Sequence, residues 1–149
     1  MGRRLTPDAV VTRTIRRASV AAAGISVVFS PVPLVDELVL AVMYTGLTVR
    51  VAHARGKNVR EVPWRPLVKT ALVGLVVRGV LDAPAGQIPG LTTLVNATSA
   101  VALTRIYGDC VDYVCTRRPE ATGFGPRDVL AAIRARRTRG AAAAASSPA

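Results

Sequence analysis

The chain has 149 residues, half of them hydrophobic, and a net charge of +11. This length suits one domain with its own core, and the strong basic charge predicts an anionic partner, either nucleic acid or a phospholipid surface. One histidine and two cysteines five positions apart cannot complete a zinc site and do not indicate a disulfide. Since a GxxxxGK[ST] loop and a nucleophile motif near His53 are also absent, we expect no enzymatic activity, no cofactor and no bound metal.

The first two predicted helices form a hairpin around the proline corner "SPVP". The first helix covers residues 7–29, opens on a proline and is uncharged from Ala18 onward. Proline ends this helix because it cannot donate the next backbone hydrogen bond. The second helix covers about residues 34–54, and the acidic pair Asp36 and Glu37 in its first turn suits the positive end of a helix dipole.

The second helix is the segment most suited to a membrane. From Leu38 to Val49 it is apolar on every face, which is expected of a helix enclosed by protein or by lipid. These twelve residues span only about 18 Å at ~1.5 Å per residue, less than the ~30 Å of a bilayer's hydrocarbon core. We therefore predict a shallow or re-entrant insertion, with Leu38, Val42, Met43 and Val49 in contact with a membrane or a partner.

Two more helices and a second corner follow. Residues 55–66 form a polar, basic connection, in which Trp64 either anchors at a membrane interface or caps the end of the bundle. The third helix covers about residues 67–81, and the corner "DAPAGQIPG" leads into a fourth helix over residues 91–116. The fourth helix is amphipathic, and its polar stripe contains Asn96.

The fourth helix carries a pair of acidic side chains near its end. Asp109 and Asp112 lie three residues apart, on one face, and such a pair is able to serve acid–base chemistry or bind a cation. Nearby basic residues, Arg105 and the pair at 117–118, offer a simpler role. We predict that the two carboxylates balance these arginines.

The C-terminal region is predicted to be a linker, a helix and a tail. Residues 119–125 form the linker, residues 126–139 a short basic helix and residues 140–149 a disordered, alanine-rich tail. The helix sets apolar residues against a basic face that includes Arg134, Arg136 and Arg137. A basic amphipathic helix is typical of lipid-surface binding or of docking, and a merely solvated helix is the alternative.

The distribution of charge along the chain predicts how the helices are arranged. Except for Arg78, which lies near the second corner, the basic residues fall before the first apolar segment, around the central connection and in the last third of the chain. In a fold of two hairpins these groups meet at one end, and the corners at the other end carry Asp36, Glu37 and Asp82. This asymmetry follows the positive-inside rule, with the basic end cytoplasmic. We therefore predict an all-α fold, in which residues 1–118 form two proline-cornered hairpins packed as a four-helix bundle, plus the short basic C-terminal helix.

Two segments resemble a known family. "SPVPLVDELVLAVMYTGLTVRVAHARGKN" is similar to the P-x-P-x-x-D…L…G half of the YcjF-like helical domain of unknown function, which also occurs C-terminal to some bacterial small GTPases. "QIPGLTTLVNATSAVALTRIYGDCVDYV" resembles its second half, an Ile-Pro-Gly corner followed by an N-A-x-x-A…T…G helix, although Thr92 and Thr93 replace a more glycine-like corner. The resemblance covers about residues 18–116. It implies an all-helical, membrane-associated bacterial module, often partnered with a GTPase and without known catalysis.

These observations predict a non-enzymatic, membrane-associated scaffold or interaction module on the cytoplasmic face of the bacterial inner membrane. Its expected partners are an anionic lipid surface and another protein, such as a GTPase or a membrane complex. The alternative is a soluble, cytoplasmic basic bundle that forms a homo-oligomer or binds nucleic acid. Nucleic acid is the weaker partner, because aromatic residues make up only 4% of the chain and no stacking platform or recognition helix is evident.

Overall fold

The computed structural model describes residues 6–29, 35–85, 91–116 and 126–145. These residues form five α-helices and one short 3₁₀ turn, and they contain no strand, which confirms the all-α fold class. The elements are α1 (Pro7–Phe29), α2 (Val35–Ala54), the 3₁₀ turn (Val59–Glu61), α3 (Trp64–Ala85), α4 (Leu91–Thr116) and α5 (Pro126–Ala145). The first proline corner, residues 86–90 of the second corner, the predicted linker and the last four residues lie outside the described part of the chain.

The helix bounds follow the local sequence closely, with three differences, one of which is that α3 ends at Ala85 rather than near residue 81. α3 begins at Trp64 rather than near residue 67, because Pro66 falls in its first turn, where no backbone donor is needed. α5 continues to Ala145, so residues 140–145 are helical and the prediction of a disordered tail was wrong for them. Alanine has the highest helix propensity, and a run of five extends the helix past Gly140.

α4 occupies the centre of the molecule. It packs against α1, α2, α3 and α5, while α1 also packs along α2. Ile15 of α1 lies against Gly108 of α4. The hydroxyl oxygen of Thr48 in α2 lies 2.9 Å from the hydroxyl oxygen of Tyr107 in α4. These pairings place the beginnings of α1 and α3 and the ends of α2 and α4 at one end of the molecule, which we call the basic end. The opposite end, next to the two corners, is the corner end.

The apolar core connects α1, α2, α3 and α4. Its largest fully buried side chains include Ile15, Leu40, Val51, Leu67 and Val111. Both cysteines are free and buried, as expected of two small core residues. Burial raises the pKa of the Cys110 thiol to about 12 and also raises that of Cys115, which favours the neutral thiol form of both.

Polar side chains are enclosed between the helices as well. The buried hydroxyls and amide belong to Ser19, Ser26, Thr48, Asn96 and Thr104. Several hydroxyls bond to their own helix: those of Ser19 and Thr48 each donate to the carbonyl oxygen four residues earlier, at 2.9 Å. Such bonds satisfy a hydroxyl without a partner helix, which lets small polar residues sit where helices approach closely.

Candidate membrane-facing surface

The basic end is organised by Arg55. α2 ends in a Schellman motif: Gly56 adopts a left-handed φ of 69°, and the amides of Gly56 and Lys57 donate to the carbonyls of His53 and Ala52, each at 2.9 Å. This turn sets Arg55 between α1 and α4. Its Nη2 lies 2.7 Å from Asp8 and 2.6 Å from Asp112.

Arg55 is held charged in a partly buried position. Burial lowers its pKa, but the hydrogen bonds to Asp112 and Asp8 outweigh that effect, so the net pKa is raised. Arg55 thus ties three helices together through one guanidinium group.

Asp109 forms a second link. Its carboxylate accepts a hydrogen bond from Arg136 of α5, and Val129 and Ala132 of α5 also face the rest of the molecule. Asp109 and Asp112 therefore pair with arginines distant in sequence, while Arg105, one of the predicted partners, is exposed. The residues at 117–118 lie outside the described part of the chain.

Other basic residues surround the basic end with their side chains exposed. They come from α1, α2, the 3₁₀ turn, α3 and α4: Arg13, Arg16, Arg17, Arg50, Arg60, Arg65, Lys69 and Arg105. On α1, α2, α3 and α4 each of these residues lies in the half of its helix nearer the basic end. The structure does not describe the side chains of the three acidic residues near the corners, Asp36, Glu37 and Asp82.

A second set of exposed side chains is apolar. We call it the apolar belt, and it includes residues of α1, α2, α3 and α4: Val20, Val27, Val28, Leu38, Val42, Val68, Leu72, Val73, Val76, Val77 and Leu94. Most of it lies toward the corner end of the helices. Four of the five described helices therefore contribute to the belt.

The belt reverses the usual arrangement of a helix in water. On α4, Leu94 is 65% exposed whereas Asn96 is only 9% exposed. On α2, Leu38 and Val42 are each 69% exposed while Thr48 is fully buried. The described part of the chain therefore does not enclose α2 on every side, and of the two predicted surroundings of this helix, protein or lipid, this chain alone does not supply the first.

The predicted contact residues fall into two groups. Leu38 and Val42 are exposed in the belt, and Arg134 and Arg137 are exposed on α5. The others are engaged inside the molecule: Met43 packs partly against the core, Val49 is half-buried, Trp64 is half-buried and Arg136 pairs with Asp109.

The indole N–H of Trp64 donates a hydrogen bond to the carbonyl oxygen of Val59 at 3.0 Å. This contact favours the predicted role of Trp64 as a cap on the end of the bundle. Sequence reasoning missed the exposed face of α3, from Val68 to Val77. The uncharged run "ALVGLVV" was the available signal.

Two structural findings bear on function. Among the described residues, none of the helices combines the length and the apolarity needed to cross a membrane. The same residues contain no group of three side chains suited to hold a metal ion.

Comparison with protein-family models, with curated proteins and with solved structures gave no match to this chain. The resemblance to the YcjF-like domain therefore stays a prediction.

Proposed function

We propose that this chain is a non-enzymatic helical module that associates with a membrane and serves as a scaffold for another protein. In this proposal two proline-cornered hairpins form a four-helix bundle, whose basic end lies at anionic head groups and whose apolar belt enters the hydrocarbon. The observation that carries the proposal is the apolar belt, combined with the hydroxyl and amide groups enclosed between the helices.

A surface contributed by four helices favours lipid over a protein partner. A protein partner or a two-fold dimer covers one patch, and the rest of the belt would stay in water. Lipid, in contrast, contacts an inserted helical bundle on all of its sides. Helices in lipid also pack through small and hydroxyl-bearing residues, because apolar side chains gain nothing there by leaving the surface.

The distance from the basic residues to the corners is longer than the depth of one leaflet, so in this proposal the helices lie tilted within it. From Arg17 to the end of α1 is about 18 Å, and from Arg50 back to the start of α2 is about 22 Å, at ~1.5 Å per residue. Half of the ~30 Å hydrocarbon core is about 15 Å. Charged corner residues at the bilayer centre would cost about 2.5 to 3.5 kcal/mol each, so we propose insertion within a single leaflet.

The location and partner follow from the charge pattern and the resemblance. The basic end and the positive-inside rule favour the cytoplasmic face of the bacterial inner membrane. The resemblance to the YcjF-like domain suggests a GTPase or a membrane complex as the protein partner. A homo-oligomer that buries part of the belt is the second candidate, and it predicts self-association without lipid.

Flotation of the full chain with vesicles of phosphatidylglycerol and phosphatidylcholine tests the proposal. We expect the protein to float at physiological salt and to stay bound in a high-salt wash, because the belt, unlike the arginines, is not screened. Val42→Asp and Val76→Asp are each expected to lower vesicle affinity about a hundredfold.

Asn58→Asp is the matched control, since it adds the same charge at the basic end. It should lower vesicle affinity about fivefold. A wild-type protein that stays at the bottom of the gradient would contradict the proposal, and so would belt variants that behave like this control.

A further inference from the structure

A groove runs between α1 and α2, from the basic end toward the belt. Its volume is about 370 Å³ and it is open to the surface. Residues of both helices form its walls and floor: Thr14, Arg17, Ala18, Ala21, Met43, Gly46, Leu47 and Arg50.

Small residues leave this groove unfilled. A side chain added at Gly46 would meet no atom within 4 Å, and Ala18 and Ala21 line the facing wall. Met43 and Leu47 supply apolar surface along the groove. The space therefore suits a narrow, apolar chain.

The basic side of the groove carries two guanidinium groups from different helices. Arg17 of α1 and Arg50 of α2 are exposed, and among the described residues neither makes an ion pair. Arg55 and Arg136, in contrast, are held by carboxylates. Arg17 also lines a neighbouring recess of about 350 Å³ together with Arg13, Arg16 and Val20.

The polarity of the groove matches that of a lipid in a leaflet. Its two arginines lie nearer the basic end, and Ala21 and Met43 lie nearer the corner end. Two guanidinium groups are well suited to a phosphodiester, because each offers paired donors in a planar fork. A free phosphate would use the arginines and leave the apolar groove unused.

We propose that this groove binds one anionic phospholipid, with the phosphodiester at Arg17 and Arg50 and an acyl chain along Ala21, Met43 and Gly46. This inference rests on the proposed membrane association and adds a specific lipid site to it. The other exposed arginines then supply general attraction to the surface, whereas this pair selects a single molecule.

The test reconstitutes the full chain in nanodiscs of equal phosphatidylglycerol and phosphatidylcholine and counts retained lipids by native mass spectrometry. We expect one phosphatidylglycerol per chain, enriched about tenfold over phosphatidylcholine. The double variant Arg17→Lys/Arg50→Lys keeps the charge but loses the paired donors of the two guanidinium groups. This variant should lower the enrichment to about twofold. Arg65→Lys/Arg105→Lys is the charge-matched control and should keep the full enrichment.

A second pair of variants tests the apolar part of the site. Gly46→Leu fills the groove and should abolish the retained lipid, while Gly24→Leu adds the same side chain in open space on α1, outside the groove. Circular dichroism checks that both variants fold. If Gly46→Leu does not fold, the lysine pair decides the question.

The outcomes separate the two proposals. Wild-type protein that fails to float with vesicles overturns both. Normal flotation with equal enrichment in the lysine pair and its control overturns the lipid site alone. Loss in the lysine pair with full retention in Gly46→Leu overturns the acyl-chain groove, and added inorganic phosphate that competes away the lipid at millimolar concentration would show a phosphate contact instead.

Discussion

The two ends of this molecule differ in some of the side chains that they enclose and expose. At the basic end, large apolar side chains such as Ile15 and Val51 are buried, and the charge of Arg55 is matched by Asp8 and Asp112. Toward the corner end, Ser26 and Asn96 lie inside while Leu38 lies outside. This contrast is the reason for proposing that the boundary of a membrane lies between the two ends.

The prediction with the largest expected effect concerns the rate of thiol labelling of Cys110, which lies near the basic end. Burial raises its pKa from 9.0 to about 12, so at pH 8 its thiolate fraction is about a thousandfold lower than that of a free thiol. We expect thiol labelling of the folded protein to be slower by a similar factor.

The sign of the pH dependence follows from the same shift. Folding favours the neutral thiol, so its contribution to stability is complete below pH 9 and is lost as pH rises toward about 12. Labelling of Cys110 at the rate of an unfolded control would show that this end is not closed to water.

The next effect concerns Arg55. Arg55→Ala removes the guanidinium group that Asp112 and Asp8 share, and we expect the free energy of unfolding to fall by about 3 kcal/mol. Denaturant unfolding followed by circular dichroism measures this loss.

Asp8→Asn is the control for that measurement. Asp8 is 65% exposed, so its loss should cost less than about 1 kcal/mol. Equal losses in the two variants would mean that the buried pair does not organise the basic end.

A smaller effect is expected where α1 crosses α4. A Cβ at residue 108 would lie 2.8 Å from Cγ1 of Ile15, a branched side chain with little freedom to move. Gly108→Ala should therefore lower stability by about 2 kcal/mol through overpacking. A double-mutant cycle with Ile15→Ala should recover much of this loss, and additive effects would contradict the contact.

The smallest effect is a gain in stability. Gly24 and Gly46 are helical, and an added methyl group meets nothing within 4 Å at either position. Gly24→Ala and Gly46→Ala should each raise the free energy of unfolding by about 0.5 to 1 kcal/mol, the difference in helix propensity. A loss at Gly46 would mean that the groove is already closed.

Much of the fold was accessible from the sequence because helix formation is local. Prolines at the starts of α1 and α5 and uncharged apolar runs between the corners predicted five helices, and α1 and α4 have the predicted bounds. The candidate site was predicted less well. Leu38 and Val42 were identified, whereas the exposed face of α3 was missed because Lys69 and Arg78 flank it.

The sequence by itself determined the helical class, the position of the helices and the gathering of basic residues at one end, since each depends on neighbours in the chain or on hairpin connectivity. Only the tertiary structure decided which faces are covered. Arg55 pairs with Asp112, which is 57 residues away in the sequence. On α4 the side chain of Leu94 is exposed, whereas that of Asn96 is buried. These choices depend on how α4 packs among four other helices, and no local pattern in an alanine- and valine-rich chain specifies that packing.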